Sequence, residues 1–213
     1  MNVKLKWQSE FTANRVIDDV IEPKNYCIKL NLLTLTENNH YNNVAFDRIK
    51  AFIENICEGS TFVDTDSELV ETLENLTPDR LIHLPNEEAY DQIIGIALFC
   101  KLNAIMESAM SIESIEISSK PEQISYCYDK GDALGPFEKK NDQAWWHKSD
   151  LSIQDNQELD YTWESLGLSW EEPSDDDDST EIVLELEKVV TPAVKTSKSK
   201  FDPKILVKEA DED

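Results

Sequence analysis

Ile93-Ile94-Gly95-Ile96-Ala97-Leu98-Phe99-Cys100 is the longest apolar run in the chain, and its reading decides the fold. Gly95 interrupts it and Lys101 stops it, so it falls well short of the ~18 consecutive apolar residues that a membrane span needs. Between Glu87 and Met110 the apolar positions Ala89, Ile93, Ile96, Ala97, Cys100 and Ala104, with others, fall almost all round a helix. A helix that is apolar over most of its circumference is buried. The sequence therefore predicts a central helix over 87–110 with other elements packed around it. Glycine costs ~1 kcal/mol relative to alanine inside a helix, so Gly95 predicts a neighbouring element at close approach.

Toward the N-terminus, Arg80 to Leu84 reads as a strand closed by Pro85. Before it, Ser67 starts a helix over Glu68 to Leu76, with Leu69, Val70, Leu73 and Leu76 inward. Thr61 to Asp64 is a short strand. Phe46, Ile49, Phe52, Ile53 and Ile56 recur at helical spacing, with Asn42 or Asn43 as N-cap and Gly59 as the stop. Alternation predicts strands over residues 2 to 8 and over Tyr26 to Thr36. Toward the C-terminus, Ile112 to Ser119 and Gln123 to Tyr128 read as a hairpin around Pro121. The order β-β-α-β-α-β-α-β-β indicates an α/β (α+β) layered domain with a mixed sheet and about three helices, over residues 1–150.

Charge divides the chain differently. Of 213 residues 44 are acidic and 20 basic, a net charge of -24. Residues 1–150 hold 26 acids and 14 bases, whereas 151–213 hold 18 and 6, so the last part is more than twice as dense in net charge. It also carries Pro173, Pro192, Pro203 and the run Asp175 to Asp178. High charge with low hydrophobicity does not offset the entropy of ordering, so 151–213 reads as an acidic, mostly disordered tail. The aspartate run lacks the alternating ligands, the glycine and the distal glutamate of a calcium loop.

Two apolar islands interrupt that tail: Leu159 to Trp170, and Ile182 to Val190. Islands of this kind in acidic surroundings serve as recognition segments that order on a partner, or they strap back onto their own domain. Aromatic residues dominate interface hot spots, so Tyr161, Trp163, Leu166, Leu168 and Trp170 are the candidate partner-binding residues. A second candidate is the loop from Gly131 to Lys148, where Phe137, Trp145, Trp146 and His147 could stack a base, hold a peptide or pin the loop to the core. The net charge opposes direct binding of nucleic acid there.

Catalytic patterns are missing. No G-x-G-x-x-G, G-x-x-x-x-G-K or G-x-S-x-G occurs, and acid pairs such as Asp18-Asp19 and Glu87-Glu88 read as solvated turns or helix starts. Cys27, Cys57, Cys100 and Cys127 have no paired-ligand spacing and read as buried thiols, while His40, His83 and His147 stand far apart. Neither a metal nor a cofactor is expected. Lys4 and Lys6 lack an apolar stretch behind them, so no secretory signal is read, and a soluble protein of the cytoplasm is expected.

Three segments resemble a family of small acidic proteins of large contractile-tailed bacteriophages. They are Leu5 to Ile17 (LKWQSEFTANRVI), Asp91 to Gly95 with Lys101 to Glu107, and Gly135-Pro136-Phe137 with Trp145-Trp146-His147. The resemblance covers residues 1 to 150 and transfers no catalytic residues. It implies a phage protein acting in the cytoplasm of an infected bacterium. Combined with the acid blocks and apolar islands, the expected function is a non-enzymatic accessory or regulatory factor that binds host or phage proteins. One alternative is an acidic nucleic-acid mimic that blocks a DNA- or RNA-binding protein; the other is an enzyme whose site is assembled only in the fold.

Overall fold

The computed structural model of the chain describes residues 3–85, 87–121, 124–138 and 144–171. Six strands form one mixed sheet in the order β4-β3-β1-β2-β5-β6. They are β1 (Lys4–Ile17), β2 (Val20–Thr34), β3 (Thr61–Asp64), β4 (Leu81–Leu84), β5 (Met110–Lys120) and β6 (Ser125–Asp129). Three α-helices accompany them: α1 (Asn39–Ala51), continued by a π-helical turn over Phe52–Cys57, α2 (Val70–Leu76) and α3 (Asp91–Met106). The predicted order and fold class hold.

The first hairpin is far longer than expected. Instead of a strand over residues 2 to 8, β1 runs 14 residues and pairs antiparallel with the 15 of β2, from Lys4 opposite Leu33 to Ile17 opposite Val20. Asp18 and Asp19 form its two-residue turn, both at positive φ (50° and 55°), the conformation whose twist matches that of the strands it joins. Phe11 and Ala13 on β1, and Tyr26, Ile28, Leu30 and Leu32 on β2, face the core. On β5 the inward residues Ile112 and Ile115 are three apart, because the register shifts between Asn31 and Leu32 and Glu113 is the extra residue.

α3 crosses this apolar face with nearly every side chain buried, as predicted, but it is shorter than 87–110. It ends where Glu107 takes φ 51°, and Met110 already belongs to β5. At Gly95 an added Cβ would lie 2.6 Å from Ile117 Cγ2, which is the close approach the glycine signalled. α1 starts one turn before the expected cap: the Asn38 side chain accepts from the backbone N–H groups of His40 and Tyr41. β1, β3 and β4 run parallel, which requires helical crossovers, and α1 and α2 supply them. A smaller cluster of Val16, Val63, Leu73 and Leu81, with Leu69 and Val70, lies under α2 on the opposite side of the sheet.

The expected domain end near residue 150 is corrected. The packed unit extends to Glu172, and Leu151, Ile153 and Trp163 are part of its core. Averaging composition over 151–213 merged two unlike stretches. The first contains two tryptophans, each bringing on the order of 200 Å² of apolar surface, roughly 5 kcal/mol at ~25 cal/mol per Å². Its acids Glu158, Asp160 and Glu164 stay at the surface. The run Asp175 to Asp178 and the island Ile182 to Val190 lie outside the described residues.

Candidate functional site

Residues 144–171, which we term the strap, leave α3 through a buried lysine. Lys101 has no exposed surface, and its Nζ donates to the carbonyl oxygens of Trp145 and Lys148, both at 3.0 Å, and lies 3.4 Å from Asp150 Oδ1. Burial lowers its pKa to about 8, against the opposing pull of Asp150. Burial would raise the Asp150 carboxyl, but bonds from the Ser152 hydroxyl and backbone N–H, together with Lys101, hold it below its ordinary value.

The strap then covers the open edge of β4. His83 N donates to Ile153 O at 3.2 Å, Trp145 Nε1 donates to His83 O at 2.7 Å, and Gln154 Nε2 donates to Leu81 O at 3.0 Å. An uncovered edge strand is a template for unwanted pairing, and this one is blocked largely by side-chain donors. The aromatic loop thus resolves as a pin rather than a platform. Phe137 and Trp145 are fully buried, Trp146 nearly so and edge-on to both (centroids 5.2 and 5.9 Å), and only His147 faces outward, its Nε2 3.0 Å from Phe137 O. Three of the four residues of the candidate loop site therefore close the end of the core beside α3 and keep little surface for a ligand.

Further along, the strap meets α1. Arg48 is 1% exposed; its Nε donates to Leu168 O at 2.9 Å, and its Nη1 lies 3.4 Å from Glu107 Oε1. Its guanidinium carbon is 4.0 Å from the ring centre of Trp170 and 5.1 Å from that of Trp163. Desolvation lowers the Arg48 pKa, opposed by Glu107 and Glu164. Trp170 Nε1 donates to the same Glu107 oxygen at 3.0 Å, Trp163 Nε1 donates to Ser149 O at 2.5 Å, and Tyr41 packs edge-on against Trp170 at 5.9 Å. A turn over 162–168, with Gly167 at φ 71° and Leu168 N donating to Trp163 O, brings both indoles to one cation.

These contacts sort the five partner-binding candidates. Trp163 is buried, and Leu168 and Trp170 are half-buried against the domain, so these three act as a strap rather than as a free recognition segment. Tyr161 (37% exposed) and Leu166 (48%) remain on the surface. Arg48, Glu107, Asp150, Leu159, Tyr161, Trp163, Glu164 and Trp170 line a cleft of about 420 Å³ between strap and helices. Arg48 and Lys101 were not singled out from the sequence. The signal was there, since each is a lone cation among inward positions of a helix.

Elsewhere, the helix-free part of the sheet is polar. Lys6, Gln8, Lys29, Asn31, Ser114, Glu116 and Cys127 line a depression of about 580 Å³, crossed by the Lys29–Glu116 ion pair at 2.7 Å. Cys127 is exposed there and Cys27 half-buried, a correction to the reading of four buried thiols; Cys57 and Cys100 are buried, and burial raises the Cys100 thiol to about 12. At the carboxyl ends of β1 and β3, Asp19, Asp64, Asp66, Glu68 and Glu88 surround an acidic cleft of about 280 Å³. Among the described residues, no three His, Cys, Asp or Glu side chains are grouped to hold a metal ion. Among the same residues, no helix is long and apolar enough to cross a membrane.

No protein-family model and no curated protein matches the chain. Among solved structures, an uncharacterized protein from Wolinella succinogenes superposes with a TM-score of 0.45 at 10% identity, over 61% of this chain and 99% of that one. A 6-pyruvoyl tetrahydropterin synthase from Plasmodium vivax gives 0.38 at 12%, covering 61% and 99%, and that of Plasmodium falciparum 0.38 at 15%, covering 61% and 98%. At these TM-scores the likeness says nothing of what this chain does.

Proposed function

We propose that the chain is a non-enzymatic accessory protein of an infecting phage, acting in the host cytoplasm by binding a host or phage protein at the cleft between strap and helices. The supporting observation is the composition and shape of that cleft. Tyr161, Trp163 and Trp170 stand around a concave, partly apolar surface, with Leu166 exposed nearby, and aromatic residues in such settings carry most of the energy of protein interfaces. The test is affinity capture from infected cells with the wild-type chain and with the Tyr161→Ala, Leu166→Ala double variant. A specific partner that is lost in the variant supports the reading; a partner held equally by both places the contact elsewhere.

A second reading is the acidic mimic, and one observation favours it. Mimicry needs carboxylates on ordered chain, and the described residues carry 29 acids against 12 bases. In that case a bound partner is displaced by DNA or RNA, and its affinity falls steeply with salt.

A further inference from the structure

We infer that His83 is an acid-sensitive latch: protonation of its ring frees the strap from the edge of β4. The first observation is where His83 stands. Both of its backbone groups join strap and edge, since its N–H donates to Ile153 O at 3.2 Å and its carbonyl oxygen accepts from Trp145 Nε1 at 2.7 Å. His83, Trp145 and the strap carboxylate Asp155 also line one cavity of about 160 Å³, so the strap's anchor and its nearest acid meet at this residue. Any displacement of His83 therefore strains both bonds at once.

The second observation is what surrounds the ring. Its Nε2 is enclosed and has no hydrogen-bond partner among the described residues. The charged groups that act on it are Glu74 of α2, whose Oε1 lies 3.6 Å from Nε2, and Asp155 of the strap; on β3 the residue opposite is Val63. Neither carboxylate is placed to hold an imidazolium. Glu74 lies beyond hydrogen-bond distance with 47% of its side chain in water, and Asp155 is exposed, its Oδ1 already accepting from Trp145 N at 2.9 Å. Attraction from solvated carboxylates is screened, whereas an enclosed charged N–H without an acceptor bears the cost of leaving water. Burial accordingly lowers the pKa of His83, against the opposing pull of Glu74 and Asp155. With the folded value below the unfolded one, the opened chain takes up the proton more readily, so the closed strap is stable above the ordinary histidine range and loses stability as pH falls below it. Opening uncovers the β4 edge, which is a template for pairing with another chain.

The experiment is limited proteolysis of the full chain with thermolysin from about pH 7.5 to about pH 5, a range that spans the ordinary histidine value. Cleavage within residues 144–171 is normalised at each pH to that of a free peptide of the same sequence. The expected result is a normalised rate that rises severalfold toward acid in the wild type and stays level in His83→Gln. Glu74→Gln should give a larger rise, because it removes an attraction on the charged ring. His40→Gln and His147→Gln should keep the wild-type rise, which assigns the effect to one of the three histidines. A wild-type rate that is flat or falls in acid, or a rise that persists in His83→Gln, would overturn the inference. Where His83→Gln fails to fold, NMR titration of the wild-type ring decides: a midpoint below the ~6.5 of an unfolded histidine is expected, and one at or above it removes the latch.

Discussion

α3 and the strap lie on the same core and are held there by opposite means. α3 is held chiefly by its own apolar surface, since it is buried on nearly all sides and its single glycine seats it on Ile117. The strap has little regular structure beyond short turns; it is held by tryptophans at intervals and by two buried cations that donate to its carbonyl oxygens. The difference is one of redundancy. An apolar helix spreads its stabilisation over many small contacts, whereas each anchor of the strap carries a large share, so single substitutions should dissect the strap and barely define α3.

The largest expected effect is at Trp145. It is 1% exposed, bonds to the β4 edge and stands beside Lys101, so Trp145→Ala should cost ~3–5 kcal/mol in urea unfolding. Next is Arg48→Met, which removes the cation between Trp163 and Trp170, leaves Leu168 O without its side-chain donor and leaves Glu107 to Trp170 alone. A loss of ~2–4 kcal/mol is expected, with proteolytic cleavage near Tyr161 while α3 stays protected. If the whole chain unfolds as one unit instead, the contrast between strap and helix is wrong. On the helix side, Gly95→Ala gains helix propensity but drives a methyl group into Ile117, with a net loss of ~1–3 kcal/mol that Ile117→Ala should partly cancel in a double-mutant cycle.

The same contrast explains what could be read from sequence. α3, the inward faces of β2 and β5 and the meaning of Gly95 are local patterns, with period 3.6 or 2, and are legible without the fold. The length of the first hairpin was hidden because Ser9, Arg15, Glu22 and Lys24 occupy inward positions of its alternation. Arg15 and Glu22 pair at 2.9 Å, and Arg15 reaches Asp91 at 2.8 Å, contacts that join distant parts of the chain. The strap was misread for a related reason. Acidic composition is an average, while Arg48 and Lys101 act through single bonds to residues 44 to 120 positions away. The residue types that line the cleft were visible, and docking on the domain was one of the two readings left open, but nothing in the sequence selected it for these three.

A smaller and pH-dependent effect belongs to Lys101. Its folded pKa, about 8, lies below the ~10.4 of an unfolded lysine, so between those values the unfolded chain binds more protons and stability rises with pH. Below pH 8 the lysine is charged in both states and the full cost of burying it is present. Measured as the difference between wild type and Lys101→Met, unfolding free energy should shift in favour of wild type by roughly 1–3 kcal/mol between pH 7 and 10.5. A flat difference across that range would mean that the buried ammonium is solvated as well as it is in water.

The smallest effect on stability should come from the residues on which the functional reading depends most. Tyr161 and Leu166 belong to the strap, yet neither anchors it: they are 37% and 48% exposed, and the turn between them is held by bonds among Thr162, Trp163, Ser165 and Leu168. Truncating either removes surface that is largely in water already, so each alanine variant should unfold within ~0.5 kcal/mol of wild type. Binding should respond in the opposite way, because a partner that covers the cleft desolvates the same two side chains, and truncating an aromatic anchor at an interface can cost ~2 kcal/mol or more, some thirtyfold in affinity. The informative outcome is the pairing of the two measurements. Unchanged urea midpoints with lost binding place the recognition surface on the exposed part of the strap. Lowered midpoints would instead show that Tyr161 and Leu166 are further anchors, and the strap would then be an edge cover for β4 with no surface left over for a partner.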